Sequence, residues 1–197
     1  MGERSQFVIG FKEKNHRGEL INRRVAFHLQ WCWGEHMAQR ASQVISVLNN
    51  IHEHEFTYGC VTSIIRVLQV TYGYNQVTGC IYGVGDTVDD STYPIEGFDS
   101  DHGCFLVDLN ENGHYTFGFS ALADLSPTDS TATYALQSTA DYFRTYDLNS
   151  SNNEAVTMLC ECEPHHRMTD ATFRRLSQAG DKHLYELMEN QRESLMI

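Results

Sequence analysis

Hydrophobic and polar residues alternate in two stretches near the start of the chain. The alternating apolar positions are Phe7, Ile9 and Phe11 in residues 5–11, then Val25, Phe27, Leu29 and Trp31 in residues 20–31. Such alternation predicts two strands, and the polar turn at residues 12–18 predicts that they form an antiparallel hairpin. The spacing then changes to steps of four and three at Met37, Ala41, Val44, Leu48 and Ile51. This second pattern predicts a helix that begins after Gly34 and ends near Asn50.

A second hairpin is predicted in the middle of the chain. Residues 104–110 and 114–119 are both strand-like, and they flank the three-residue loop Glu111-Asn112-Gly113. The register that fits this loop pairs Leu109 with Tyr115, Val107 with Phe117 and Phe105 with Phe119. All six side chains then lie on one face of the sheet, and Asp108 lies opposite Thr116 on the other face.

The remaining segments give less regular patterns. Residues 58–72 predict a helix, although their β-branched residues leave a strand open, and residues 80–88 predict a strand before a long acidic loop that ends at Gly103. A helix is expected at residues 134–146 and a strand at residues 155–162. Thr169 is expected to cap a C-terminal helix at residues 170–177.

This order of elements predicts an α+β fold, a mostly antiparallel sheet with three to four helices packed on it. The length of 197 residues suits a single domain. A division into a ββαα unit at residues 1–75 and an acidic, β-rich part with the C-terminal helix at residues 76–197 stays open.

Charge is distributed very unevenly along the chain. Residues 67–143, which we call the acidic segment, contain eleven Asp and Glu and no Lys or Arg. Residues 1–66 carry eight basic and six acidic side chains, and residues 144–197 carry six and nine. Nearly all of the net charge of −12 therefore belongs to one segment. A surface of this kind indicates a positively charged partner and argues against direct binding of nucleic acid.

Six carboxylates of the acidic segment are the candidate binding residues. They are Asp86, Asp89, Asp90, Glu96, Asp99 and Asp101. Asp99-Ser100-Asp101 resembles the start of a calcium loop, but Gly103 and Asn110 stand where an EF-hand needs ligands. A looser Mg²⁺ or Ca²⁺ site is conceivable, but the acids are interpreted as a surface, and no cofactor is expected.

The cysteines and histidines offer alternatives that we weigh and set aside. Cys160, Cys162, His165 and His166 are candidate metal ligands, but the Cys-x-Cys spacing is tighter than that of zinc sites, and a strand would turn both thiols to the core. The pairs His28 with Cys32 and His102 with Cys104 lack any signature of a nucleophilic site. We therefore expect no catalytic residue and no metal, and all six cysteines are interpreted as free thiols of a cytoplasmic protein.

Trp31 and Trp33 lie at the junction of the second strand and the first helix. Trp31 continues the apolar face of the strand, which favours the core. Trp33 has no such position, so we consider it as an aromatic anchor for a partner, although burial is the more common fate of tryptophan at such a corner.

The first fifty residues resemble a family of small proteins from Gram-positive bacteria and their phages. The similarity rests on the opening Met1-Gly2-Glu3-Arg4-Ser5 and on Gln30-Trp31 followed by Trp33-Gly34-Glu35, Met37 and Arg40-Ala41. Members begin M-G-x-R-S and carry a Q-W-x-aromatic-G-E-x-M block. The resemblance implies a phage or mobile-element origin, but it implies no activity and no catalytic residue.

Three functions are compatible with these patterns. The first is a phage-encoded, non-enzymatic inhibitor that mimics DNA and binds a host nucleic-acid-binding defence protein, such as a CRISPR effector or a restriction nuclease. It would act in the host cytoplasm without contacting nucleic acid or membrane. The second is a small metal-dependent hydrolase that acts on a nucleotide. The third is a structural, homo-oligomeric phage protein.

Overall fold

The computed structural model describes residues 4–14, 17–30, 32–51, 102–109, 114–122 and 134–177. The strands within these ranges are β1 (Arg4–Lys14), β2 (Leu20–Gln30), β3 (Cys104–Leu109), β4 (Tyr115–Leu122) and β5 (Tyr134–Gln137). The helices are α1 (Gly34–Asn50), α2 (Thr139–Arg144), α3 (Glu154–His166) and α4 (Asp170–Ser177). The elements predicted at residues 58–72 and 80–88, the acidic loop before His102 and Trp31 lie outside the described residues.

The five strands form one sheet in the order β2-β1-β3-β4-β5. Strands β1 and β3 pair in parallel, and the other three pairings are antiparallel. The α+β class with a mostly antiparallel sheet is therefore confirmed. Both predicted hairpins are present, and the register of the second is the predicted one, with Phe105 opposite Phe119 and Leu109 opposite Tyr115. An alternating pattern fixes register because a slip of one residue would turn every apolar side chain to the other face.

Helix α1 confirms the helix that was predicted from the spacing of apolar residues after Gly34. Four of the five predicted stripe residues are buried, namely Met37, Ala41, Val44 and Leu48, and Ile51 is half-buried just beyond the helix. The stripe packs on the sheet and on α3.

The helix predicted at residues 134–146 is wrong in its first part. Residues 134–137 are strand β5, which pairs with β4, and the helix begins only at Thr139. Ser138 separates the two elements because its hydroxyl accepts a hydrogen bond from the Asp141 backbone N–H at 3.1 Å and so caps α2. Serine is favoured at such caps, where its oxygen satisfies an N–H group that has no partner within the helix.

The strand predicted at residues 155–162 is also wrong, because these residues form helix α3. Asn153 caps the helix by accepting a hydrogen bond from the Val156 N–H at 3.1 Å. The residues that α3 buries are Val156 and Leu159, which are three apart as a helix requires. The alternation of Val156, Met158, Cys160 and Cys162 therefore does not reflect a strand, and both cysteines are only half-buried.

The two faces of the sheet are covered differently. Helices α1, α2 and α3 enclose the larger cluster, to which β1, β3 and β4 contribute Phe7, Phe105, Phe117 and Phe119. Helix α4 covers the other face with Phe173 and Leu176, against Val8 and Leu106. Thr169 caps α4 as predicted, by accepting a hydrogen bond from the Thr172 N–H at 3.2 Å. No helix among the described residues is long and apolar enough to cross a membrane.

An ion pair joins α4 to the sheet. The Arg175 guanidinium lies 2.7 Å from the Asp108 carboxylate, which is only 8 % exposed. Gly10 lies opposite Asp108 on β1, and a Cβ atom there would lie 2.9 Å from the same carboxylate and 2.4 Å from the Leu176 side chain. A larger residue at this position would require the ends of the Leu176 and Asp108 side chains to shift.

Candidate binding surface around Trp33

Trp33 lies at the surface, where the chain enters α1. It is the N-cap residue of the helix, with extended backbone angles, and its side chain provides no cap hydrogen bond. Its relative exposure is 38 %, whereas Cys32 immediately before it is fully buried. Gly34 follows with φ +53°, in the left-handed region that favours glycine. The backbone therefore turns at Gly34, between the exposed Trp33 and the first turn of α1.

The Trp33 side chain is held by two other rings, and we call Trp33, His102 and Tyr146 together the Trp33 corner. The indole stacks on the His102 ring with centroids 5.3 Å apart and planes inclined by 21°. The Tyr146 ring is 6.0 Å from each of them. Each stacked aromatic pair contributes about 0.5–1.5 kcal/mol beyond the area that it buries. The indole is thus oriented without being covered.

Hydrogen bonds fix His102 in this position. Its Nδ1 lies 3.2 Å from the Tyr146 hydroxyl, and its carbonyl accepts a hydrogen bond from the Tyr142 hydroxyl at 2.7 Å. His102 is the residue that follows Asp101 in the sequence. The end of the predicted acidic loop is therefore attached to the Trp33 corner, since consecutive Cα atoms are about 3.8 Å apart.

The corner is the outer end of a continuous series of rings, the aromatic column. The column runs from the Trp33 corner through Tyr142, Phe119 and Phe105 to Phe7. Successive centroids beyond the corner are 4.8–5.6 Å apart, and the four inner rings are fully buried. Burial raises the pKa of Tyr142 well above its usual value, because the phenolate would be charged inside the core.

The Cys32 thiol beneath Trp33 is not a nucleophile at neutral pH. Burial raises its pKa to about 11, although the charge and a hydrogen bond of Arg40 act in the opposite direction. The thiolate is the reactive form of cysteine, and it is scarce at such a pKa. The side chain of His28, the predicted partner of Cys32, lies outside the described residues. In the other predicted pair, Cys104 is fully buried and the His102 ring is held by Trp33 and Tyr146.

Two of the four candidate metal ligands of α3 make other contacts. Cys162 accepts a long hydrogen bond from the Asn49 amide at 3.8 Å, and His166 stacks on Tyr115 with centroids 4.0 Å apart. Burial, followed by the charge of Glu163, raises the pKa of the Cys160 thiol. Residues two apart on a helix do not face each other, so Cys160 and Cys162 point to different sides. In the part of the chain that the structure describes, no group of three or more His, Cys, Asp or Glu could hold a metal ion.

Nine of the eleven acids in the acidic segment lie outside the described ranges, including the six candidate binding residues Asp86, Asp89, Asp90, Glu96, Asp99 and Asp101. The other two are Asp108, which pairs with Arg175, and the exposed Asp141, which pairs with Arg144 at 2.9 Å. A hydrogen bond from Ser138, more than the nearby arginines, lowers the pKa of Asp141. Both of these acids are thus neutralised by arginines that follow the segment.

Sequence analysis singled out Trp33 but missed the rings that hold it. Tyr142 and Tyr146 are four residues apart, a spacing that aligns side chains on one side of a helical turn, so this pair could have been found. The contact between Trp33 and His102 joins residues almost seventy positions apart and has no local signal.

No protein-family model matches the chain, and neither the curated proteins nor the solved structures contain a match. The resemblance of the first fifty residues to phage proteins stays a prediction.

Proposed function

We propose that this protein is a non-enzymatic inhibitor encoded by a phage or mobile element. It binds a host nucleic-acid-binding defence protein, a CRISPR effector or a restriction nuclease, by mimicking DNA. It acts in the cytoplasm of the host cell and binds no nucleic acid itself.

The observation that carries the proposal is the segregation of charge. Eleven acids without a single Lys or Arg occupy residues 67–143, and the rest of the chain is almost neutral at −1. Proteins that bind DNA line their sites with Lys and Arg and gain affinity by neutralising phosphates. Carboxylates presented by a folded protein compete for the same cations, and RNA-guided nucleases need such cations both in the heteroduplex channel and for reading the PAM.

The exposed indole supports a partner that is a protein. Tryptophan is among the residues that contribute most at protein interfaces, and it does so when its orientation is fixed and its surroundings exclude water. Trp33 is oriented by His102 and Tyr146 and is still 38 % exposed. The acids would attract a basic partner at long range, and the aromatic residue would contribute at close contact.

The experiment that tests the proposal is capture of the partner from host lysate by the tagged full-length protein. The beads are washed at about 50 mM and then at about 500 mM salt, and both eluates are identified by mass spectrometry. We expect a nuclease or another nucleic-acid-binding protein to elute at high salt, since exposed charges are screened within a few ångströms there. The recovered nuclease should lose activity when the protein is added in excess. Recovery of this protein alone, with a mass that persists on dilution, would contradict the proposal and indicate the homo-oligomer.

A further inference from the structure

We infer that the Trp33 corner binds the guanidinium group of an arginine presented by the partner protein. This inference rests on the proposed function and names the chemistry that one part of the interface recognises. It is argued from the geometry of the corner and from the charges of the segments that build it.

The corner offers a flat, fixed aromatic surface. The Trp33 indole is stacked on His102, and 38 % of the residue's surface remains exposed. His102 is itself fixed by Tyr146 and Tyr142 through hydrogen bonds of 3.2 and 2.7 Å. An indole that is oriented before binding loses little conformational freedom when a ligand stacks on it, so more of the interaction contributes to affinity.

Arg40 and Arg144 are the arginines that lie closest in the chain to Trp33 and Tyr146. Arg40 is only 2 % exposed, and Arg144 is paired with Asp141 at 2.9 Å. Two exposed carboxylates adjoin the rings in the chain, Glu35 in the first turn of α1 and Asp147 directly after Tyr146. Each of these carboxylates lies within two residues of a ring of the corner along the chain.

Arginine fits this combination better than other ligands. A guanidinium is planar, always charged and weakly hydrated, so it stacks on an indole face while it donates hydrogen bonds to a carboxylate. Lysine offers a compact and strongly hydrated charge that does not stack. A nucleotide base could stack as well, but its phosphate would be repelled by Glu35 and Asp147. An arginine that normally reads DNA bases or phosphates is the group that a DNA mimic has to occupy.

The test uses the full-length protein and small probes, and it requires no partner. The indole N–H signals of Trp31 and Trp33 are recorded by NMR and assigned with the Trp33→Phe variant. Acetyl-arginine amide, its uncharged analogue acetyl-citrulline amide and adenosine monophosphate are each titrated at constant ionic strength. We expect the Trp33 signal to shift with arginine at a concentration about two- to fivefold lower than with citrulline, the ratio that an exposed cation–π contact provides.

A double variant, Glu35→Gln with Asp147→Asn, separates stacking from charge. Both side chains are exposed, so the fold should be unchanged, as the dispersion of the amide spectrum will show. We expect the preference for arginine over citrulline to fall by about half or more in this variant. Equal responses to arginine and citrulline, a shift confined to Trp31, or a stronger response to the nucleotide would overturn the inference.

If the probes fail and a nuclease is still captured from lysate, the proposed function stands without the arginine contact. If the probes succeed and no nuclease is captured, only the proposed function fails.

Discussion

The buried part of the aromatic column and its outer end both consist of aromatic rings, but their surroundings differ. In the buried part Phe119 is fully buried, and it packs on Phe105, Tyr142 and Phe143 at centroid distances of 4.8–5.1 Å. At the outer end Trp33 contacts two rings, at 5.3 and 6.0 Å, and keeps 38 % of its surface exposed. The inner rings are surrounded by partners within the chain, whereas the outer ring still has surface with which to meet another molecule. The comparison indicates that burial, rather than residue type, separates rings that stabilise the fold from a ring that can bind a partner.

The strongest test of this difference is truncation of a ring in the buried part of the column. Phe119→Ala should lower the free energy of unfolding by about 3–5 kcal/mol, because it removes a large buried ring and leaves a cavity that the sheet cannot close. Chemical denaturation of the variant measures the loss. If Phe119→Ala lowered the free energy of unfolding by less than Trp33→Ala does, the comparison would be reversed.

The boundary between buried and exposed residues can be tested at Cys32, the neighbour of Trp33. Burial raises the pKa of its thiol in the folded state from 9.0 to about 11. The folded state therefore holds its proton more strongly than the unfolded state, so the stabilisation is complete below pH 9 and is lost as the pH rises to 11. The loss that comes from Cys32 should be about 2–3 kcal/mol.

Comparison with Cys32→Ala isolates this contribution from that of the tyrosines, which titrate in the same range. The free energy of unfolding of the variant should fall less between pH 8 and pH 11 than that of the natural chain. Parallel pH profiles would show that the thiol is not buried as described.

Trp33→Ala should separate binding from stability. We expect a loss of about 1–2 kcal/mol in the free energy of unfolding, from one stacked and one tilted ring contact, which is well below the cost at Phe119. The affinity for the captured partner should fall by about 2 kcal/mol or more, as is usual for a tryptophan at the centre of an interface. Isothermal titration with the partner measures this loss, and unchanged affinity would remove Trp33 from the interface. Phe7→Leu, in the core of the column, is the control that changes stability without touching the surface.

The smallest effect on the free energy of unfolding is expected at Tyr142, which connects the buried rings to the Trp33 corner. Tyr142→Phe removes the hydroxyl that donates to the His102 carbonyl and keeps the ring. The free energy of unfolding should fall by about 1 kcal/mol, the net value of one such hydrogen bond. If the connection orients the corner, the stacking of His102 on Trp33 will loosen, and the Trp33 indole signal will broaden or shift in the NMR spectrum. A spectrum identical at Trp33 would show that the corner is oriented without Tyr142.

Much of the inner part of the molecule could be predicted from the sequence. The alternation in β1, β3 and β4 and the four–three spacing in α1 are strong local patterns, and the register of Phe105 opposite Phe119 follows from them. The strand expected at residues 155–162 failed because a short apolar stretch fits both periods, and the Asn153 cap decides for a helix. The helix expected from Tyr134 failed because the cap at Ser138 was not recognised.

The candidate site could be predicted only in part. Trp33 was identified because it departs from the strand pattern. Its partners His102 and Tyr146 come from distant segments, and no local pattern links residues that meet only through the tertiary fold. The two described acids of the acidic segment, Asp108 and Asp141, show the same limitation, because their pairing with Arg175 and Arg144 depends on where the helices end and pack.

The measurement that tests the central claim most directly is the salt dependence of partner binding in two charge variants. In the first, Asp86, Asp89, Asp90 and Asp99 are replaced by Asn. In the matched control, four acids outside the acidic segment are replaced by their amides: Glu19, Glu154, Glu161 and Asp170, all of them exposed.

Both variants lose the same net charge, and substitutions at exposed positions such as those of the control each change stability by only about 0.5 kcal/mol. The proposal predicts that the first variant binds the captured partner more weakly and with a flatter dependence of Kd on salt, while the control retains both the affinity and the slope of the natural chain. Equal behaviour of the two variants would contradict the claim that the acidic segment acts in place of DNA.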